Sequence, residues 1–420
     1  MGEKIAPSAA VEAQIEGLLA EGVADPDRIA EIGRLGAQLI LQRGIEAEVT
    51  EFLNRARYER APNARGSRNG VRPRRIQTAE GEVTVQVQQL RDTAERFVSK
   101  VIPHTRRVVR TRPLEALIIG GYVRGLSDRD IEDLVQEAGL GRVSKSEVSR
   151  ICKELRGRYH AFRAKSLASI ELLVLFLDAV YLRTRPSGAK EGVLVAWGYN
   201  LNGERVLLDV CLGQRERRED WLEMGRGMVR RGLPDPWMAV VDGAPGLNRA
   251  VTELWPDADR QRCTVHRLRN ILAKLPVKDE ALHERVRAAY RAALEEANSP
   301  EDGERRLRTL VGELEPSYGA AAACLADDLP ALCVHLKYPL RLRKRLRSTN
   351  LLERSLEEVQ RRVKVINRFP GETSCLSLCW AVMDLVISSG TGLGLTDLER
   401  RQIQAMKARK TERPPAKMSA

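Results

Sequence analysis

The sequence predicts an α/β core that is interrupted by an all-α insertion and preceded by a helical N-terminal region with a small β-hairpin. Three observations predict it. Between positions 172 and 242, four strand-length apolar segments are joined by a hairpin turn and one helix. From 267 to about 335 the apolar residues recur at helical spacing with no strand signal. Between 114 and 155, two capping boxes frame helices joined by a glycine turn.

In chain order, residues 1–60 read as helical. Ile29, Ile32, Leu35, Leu39 and Ile40 recur near the helical period, and Ile45, Val49 and Phe52-Leu53 extend the apolar face. Residues 61–112 form a basic segment. Its first part, Ala61–Ile76, is rich in Gly, Pro, Asn and Arg and is expected to be an irregular loop. Val83, Val85 and Val87 then alternate with polar residues, as in a strand with one buried face in a small sheet or hairpin. Residues 113–158 run helix, helix, turn, helix. Leu114, Leu117, Ile118 and Tyr122 make one stripe, Ser127 with Asp130 caps the next helix, and Ser144 with Glu147 opens the last, after the turn Gly139-Leu140-Gly141. This is the layout of a helix-turn-helix, whose second helix can lie in a major groove and would offer Lys145, Ser146, Ser149, Arg150 and Lys153. An ordinary three-helix packing unit gives the same pattern.

The core occupies 170–266 and 346–395. Leu172–Leu182 is a strongly apolar strand, Val193–Asn200 and Arg205–Gly213 follow with Asn202-Gly203 as the hairpin signal, Trp221–Gly232 is helical, and Trp237–Asp242 is a short buried strand. An antiparallel three-stranded meander, then a helix and a further strand, is the ribonuclease-H-like order. Residues 267–345 form the all-α insertion, with Leu282, Val286, Ala289, Tyr290 and Ala293 on one face and Leu307, Leu310 and Leu314 on another. A last long helix runs from about Asn350 to Asn367, where Phe369-Pro370 breaks it. Residues 396–420 are a charged tail, expected to fray and to end in disorder.

Charge points to a polyanion. The chain of 420 residues has 70 Lys and Arg against 57 Asp and Glu, a net charge of +13. The excess is concentrated: 15 basic and 5 acidic residues lie between Arg55 and Arg112, and 11 basic and 3 acidic between Lys337 and Arg368. Each phosphate neutralised by such a cation releases condensed counterions, so nucleic acid is the favoured partner. No apolar run approaches the length of a membrane span, and the N-terminal stretch lacks the apolar centre of a signal peptide. Seven scattered cysteines without a CxxC pair do not read as a disulfide framework. A cytosolic protein, with no membrane partner, is expected.

Three acids stand out. Asp178 sits in the most apolar strand, where an acid is costly unless paired, hydrogen-bonded or bound to metal. Asp242 ends the fourth strand, at the sheet end where ligands gather. Glu353 lies in the first turn of the final helix, where Ser348, Thr349 or Asn350 can cap, and Glu357 shares its face as a rival. Hard oxygen ligands of this kind suit two Mg²⁺ or Mn²⁺ ions in phosphodiester chemistry. Cys263 and His266 form a lone CxxH; zinc would need two more ligands, so they are read as neighbours of the metal site or the DNA backbone.

Seven ordered blocks then resemble the mutator-type bacterial insertion-sequence transposases, a DDE transposase family, from about Glu51 to Leu395. They are YER with RGSRNGVRPR (Tyr58–Arg74), GLSDRDIEDL (Gly125–Leu134), LDAVY (Leu177–Tyr181), VVDGAPGL (Val240–Leu247), RCTVHRLRN (Arg262–Asn270), STNLLER (Ser348–Arg354) and RRVKVINRFP (Arg361–Pro370). The resemblance implies that Asp178, Asp242 and Glu353, 64 and 111 residues apart, bind the metals. It favours Glu353 over Glu357 through the Asn-x-x-Glu-Arg element from Asn350 to Arg354. It also implies double-stranded DNA as partner, at element ends and at the target, and a homo-oligomer, a dimer at least, to hold two ends together. Arg68, Arg72, Arg74 and Arg75 would meet phosphates or base edges at the ends, and Arg354, Arg361, Arg362 and Lys364 would hold the cut strand. The chain departs from the family pattern at Leu356 and Gln360, where Asn and Arg are common, and near Cys324, where relatives carry tryptophan. Two other readings share these features: a DNA-binding regulator that has lost the chemistry, and a ribonuclease-H-like nuclease. The intact acids argue against the first, and the helix-turn-helix with the long insertion against the second.

Overall fold

The structure is a computed structural model that describes residues 5–22, 25–59, 62–102, 108–185, 188–213, 217–366, 369 and 371–411. The chain divides into two compact units, Met1–Lys153 and Glu154–Ala420.

In the first unit, helix α1 (Pro7–Ala20) packs on α2 (Pro26–Leu53). Asp25 accepts from the Asp27 amide at the start of α2, and Pro26 stands where a missing N–H costs nothing. The inner face of α2 buries Ile45 against Ile76, Val83 and Val85 of a hairpin. That hairpin is β1 (Ser67–Thr78) and β2 (Gly81–Arg91), with the two-residue β3 (Val109–Arg110) parallel to the end of β1. Most of the expected loop at 61–76 is therefore a strand. Its composition hides this for two reasons. The register shift between Arg68 and Val71 is absorbed at Gly70, whose φ is +81°, and Pro73 lies where β1 has a neighbour on one side only.

Helices α3 (Arg112–Val123), α4 (Asp128–Glu137) and α5 (Lys145–Cys152) complete this unit around Leu114, Ile118, Ile131, Val135 and Val148. Leu117, assigned to the buried stripe from sequence, is 49% exposed, and Ile119 is buried in its stead. Ser127 and Asp130 exchange bonds of 2.9 and 3.2 Å, and the Ser144 amide donates to Glu147 at 3.1 Å. The turn before α5 is tied to β1 by the Gln77 amide, which donates to the Arg142 carbonyl at 2.8 Å. Gly141, with φ +93°, leaves room for that contact; a Cβ there would come within 2.6 Å of the Gln77 nitrogen.

The second unit opens with α6 (Glu154–Ala164) and is built on a five-stranded sheet in the order β6-β5-β4-β7-β8. β4 (Leu172–Leu182), β5 (Glu191–Asn200) and β6 (Arg205–Gly213) form an antiparallel meander, while β7 (Met238–Val241) and β8 (Asp259–Arg262) run parallel to β4. The sequence reading had four strands; β8 is the fifth. Its residues, Asp-Arg-Gln-Arg, carry no apolar signal, and pairing with β7 makes the strand. Helices α7 (Arg218–Arg230) and α8 (Pro245–Leu254) bury Trp221, Leu222, Met228, Leu247, Val251 and the following Trp255 against Leu175, Leu177, Ala239 and Val241. Near the other edge the fully buried Asp209 is held between Arg163 at 3.0 Å and Arg231 at 2.9 Å.

Helices α9 (Thr264–Leu272), α10 (Glu280–Glu295), α11 (Pro300–Ala326), α12 (Leu329–Cys333) and α13 (Leu340–Leu346), with a 3-10 turn at Val334–Lys337, follow β8. α9 to α12 share a core of their own, including Ile271, Val286, Tyr290, Leu307, Leu314 and Leu332. α14 (Asn350–Ile366) then lies against β4 and against α15 (Glu372–Ser388). The tail expected to fray is helical as α16 (Asp397–Thr411), fixed by Glu399, which accepts from Arg341 at 2.8 Å, and by buried Ile403. The part expected to be disordered, 412–420, lies outside the described residues. Among the described residues no single helix is long and apolar enough to cross a membrane.

Candidate active site

Parallel pairing of β4 with β7 sets Phe176 opposite Val240. Continuing that register by two residues brings Asp178, still within β4, beside Asp242, the first residue past the carboxyl end of β7, where ligands gather in such sheets. Asp178 accepts from the amide of Ala179, and Asp242 from that of Ala244, each at 2.8 Å. Glu353 arrives from the first turn of α14, which packs beside β4. It is half-buried while Glu357 is exposed.

The three acids share one electrostatic environment. Burial lifts the Asp178 carboxyl to about 7; the Ala179 amide and His266 pull it down, and the negative charges of Asp242 and Glu353 push it up. Carboxylates that repel one another at a buried sheet end are stabilised by a shared cation, and an all-oxygen acid set fits a hard divalent ion.

Cys263 and His266, at the junction of β8 and α9, surround Glu353. His266 Nε2 lies 3.3 Å from Glu353 Oε1, and Thr349 Oγ1 donates to the same oxygen at 3.3 Å. The Thr349 hydroxyl also lies 3.4 Å from both His266 Nδ1 and the Cys263 sulfur, and the Thr349 amide donates to that sulfur at 3.4 Å. A hydrogen bond that the imidazole donates to the Cys263 sulfur, with the negative charges of Cys263, Glu353 and Asp178, raises His266 to about 9 against the opposing effect of burial. Ligand atoms of Cys263, His266 and Glu353 all fall within 4.8 Å of one another, so a third ligand does reach the CxxH pair. Thr349 already engages the sulfur and the imidazole, which favours a hydrogen-bonded latch on Glu353 over a zinc set. Asn350 is half-buried at the head of α14, and Arg269 reaches Glu353 at 3.6 Å.

The cations predicted to meet DNA fall into three groups. On α5, Lys145, Ser146, Ser149 and the following Lys153 are exposed and Arg150 is half-buried. On β1, Arg72 and Arg75 are exposed; Arg72 and Arg74 line a groove of about 860 Å³ with Arg96 and Phe97. Arg68 instead turns inward, donating to the carbonyls of Ala56 at 3.1 Å and Arg55 at 3.2 Å. On α14, Arg354 is exposed, but Arg361 and Arg362 both pair with Glu358, and this holds the Glu358 carboxyl down at about 2. The Lys364 side chain lies outside the described residues. Sequence reasoning missed Thr349 as the bridge to the CxxH pair. It also missed Arg262, which stood in the RCTVH block but received no role.

Comparison with known proteins gives the class first: the relatives are transposases of insertion sequences. That for element IS1201 of Lactobacillus helveticus is 30% identical, over 85% of this chain and 95% of its own length. That for ISRM5 of Rhizobium meliloti is 33% identical, over 86% and 88%. That for IS1081 of Mycobacterium tuberculosis is 30% identical, over 92% of both chains. The family follows: the transposases of the Mutator family match residues 16–386, and the chain belongs to that family.

Proposed function

We propose that the chain is the transposase of a bacterial insertion sequence, which binds the element's terminal inverted repeats in the cytosol and cuts and joins DNA strands at Asp178, Asp242 and Glu353. The observation that carries this reading is the convergence of the three acids from β4, the end of β7 and the first turn of α14. The strand order, a meander followed by helix and parallel strands, supports a ribonuclease-H-like core. The two capped helices α4 and α5 support a helix-turn-helix with α5 as the groove-reading helix.

Asp178, Asp242 and Glu353 would hold two Mg²⁺ or Mn²⁺ ions, which when bound supply Lewis-acid activation of the attacking oxygen and stabilisation of the leaving oxygen. The chain supplies the rest. Backbone amides fix the two aspartates, the Thr349–His266 latch fixes Glu353, and the exposed face of α14 offers Arg354 to the DNA backbone. No side chain needs to form a covalent intermediate. Two ends must be held at once for joining, so a dimer or higher oligomer assembles on DNA.

Incubating the purified chain with Mg²⁺ or Mn²⁺ and a duplex bearing one element end tests the reading. The wild type should nick the end, whereas Asp178→Asn should bind as tightly and cut at least 10³-fold more slowly, on the order of the loss when an essential catalytic group is removed. Residual cutting at the wild-type rate would remove Asp178 from the site. Binding without cutting by the wild type would favour a regulator.

A further inference from the structure

Arg262 ends β8, and its guanidinium lies over the turn that follows Asp242. An ideal Cβ on Gly243 would fall 0.6 Å from Arg262 Nη1 and 1.4 Å from Cζ, so the guanidinium occupies the space where any other residue at 243 would carry its side chain. Gly243 also has φ +90°, which other residues rarely adopt. Arg262 is only 8% exposed, its Nε has no hydrogen-bond partner, and among the described residues the guanidinium enters no ion pair.

Other arginines with buried side chains are paired. Arg110 pairs with Glu147 at 2.8 Å, Arg231 with Asp209 at 2.9 Å, and Arg267 with Asp327 at 2.8 Å. A guanidinium carries five donors and never loses its charge, so burying it without an acceptor is costly. Burial, and then the charge of Arg267, oppose its charge, while Asp242, Asp327 and Cys263 favour it from a distance without pairing with it. Asp242 is itself a proposed metal ligand, and cations there would offset the charge that favours Arg262. The missing partner is an anion with two oxygens to match the planar fork.

We infer that Arg262 binds a non-bridging oxygen of the DNA phosphodiester presented to the three acids, and that Gly243 is required to leave it room. The inference rests on the strand-cutting reading above and adds a substrate contact to it.

The test uses the full chain and end duplexes carrying one methylphosphonate, a neutral replacement for a phosphodiester, moved one position at a time across the cut site. Binding is read by fluorescence anisotropy in EDTA, and cutting separately in Mg²⁺. Arg262→Ala should weaken binding of the natural duplex about 10- to 100-fold, the range for a hydrogen bond to a charged group. At one position the methylphosphonate should weaken the wild type by a similar factor and leave Arg262→Ala unaffected. Gly243→Ala, which displaces the guanidinium without removing it, should give the same pattern, and it keeps the test usable if Arg262→Ala does not fold. Thermal melting checks the fold of each variant. Effects that add at every position, or wild-type affinity in folded variants, overturn the inference. A wild type that cuts while the effects add loses only the Arg262 contact. One that shows the non-additive position but never cuts keeps the contact and loses the strand-cutting reading.

Discussion

Burial separates residues that look alike in the sequence. Glu353 and Glu357 share a helix face by spacing, but the first is half-buried against Thr349 and His266 and the second is exposed. Asp178 stood out as a candidate, because an acid within LLVLFLDAVYL is costly unless paired, hydrogen-bonded or bound to metal, and the resemblance added its role. Arg262 did not stand out, since an arginine in a charged tetrapeptide reads as surface until β8 pairs with β7. His335 shows the same effect in the insertion. It is fully buried, its Nδ1 faces the acceptors Gln261 Oε1 at 3.2 Å and Leu332 O at 3.1 Å, and its Nε2 has no partner. Burial, and then the charge of Arg347, lower it to about 3. The unfolded chain takes up this proton near the ordinary value of 6.5 while the folded chain stays neutral to about 3, so stability is lost as pH falls through that window. Acidifying from about pH 7 to about pH 5 should cost about 2 kcal/mol, measured by urea melts, and His335→Gln should remove that part of the loss. An unchanged acid dependence in the variant would assign it to other groups.

Elements divide by how their signals are written. α4 and α5 announce themselves through local chemistry, Ser127 with Asp130 and Ser144 with Glu147, and both capping boxes form. β4 announces itself through apolar content. β1 and β8 lack either signal, because a ladder with a neighbouring strand stabilises them more than their side chains do, and a ladder partner is remote in sequence. The insertion is a further case. Helical periodicity revealed α10 and α11, but only packing shows that they form a core with α9 and α12, linking the strand that ends at Arg262 to the helix that starts at Asn350. Leu307, with no exposed surface, is central to that core. Leu307→Ala should destabilise the second unit by about 3 kcal/mol, the usual cost of such a cavity, seen as an earlier denaturant midpoint. A loss below about 1 kcal/mol would mean that the insertion core collapses freely around the gap.

For the whole molecule, the two basic segments fall one in each compact unit, 55–112 in the first and 337–368 in the second. If both engage DNA, end binding should depend steeply on salt, and exchanging the exposed Arg72 and Arg75 for alanine should lower the slope of log K against log salt by about 2. A slope that does not move would place these two cations away from the DNA. By itself the sequence determined the helices with their caps, the apolar strands, and the sign and clustering of charge, and it singled out the three acids as candidates. These are properties of periods and neighbours within a few residues. Tertiary structure alone decided that Asp178 and Asp242 stand abreast, that Thr349 and His266 hold Glu353, that 259–262 is a strand, and that Arg262 lies buried over Gly243 without an anion. Each of these depends on residues 19 to 87 positions apart becoming neighbours, and register and burial, which set that proximity, have no local code.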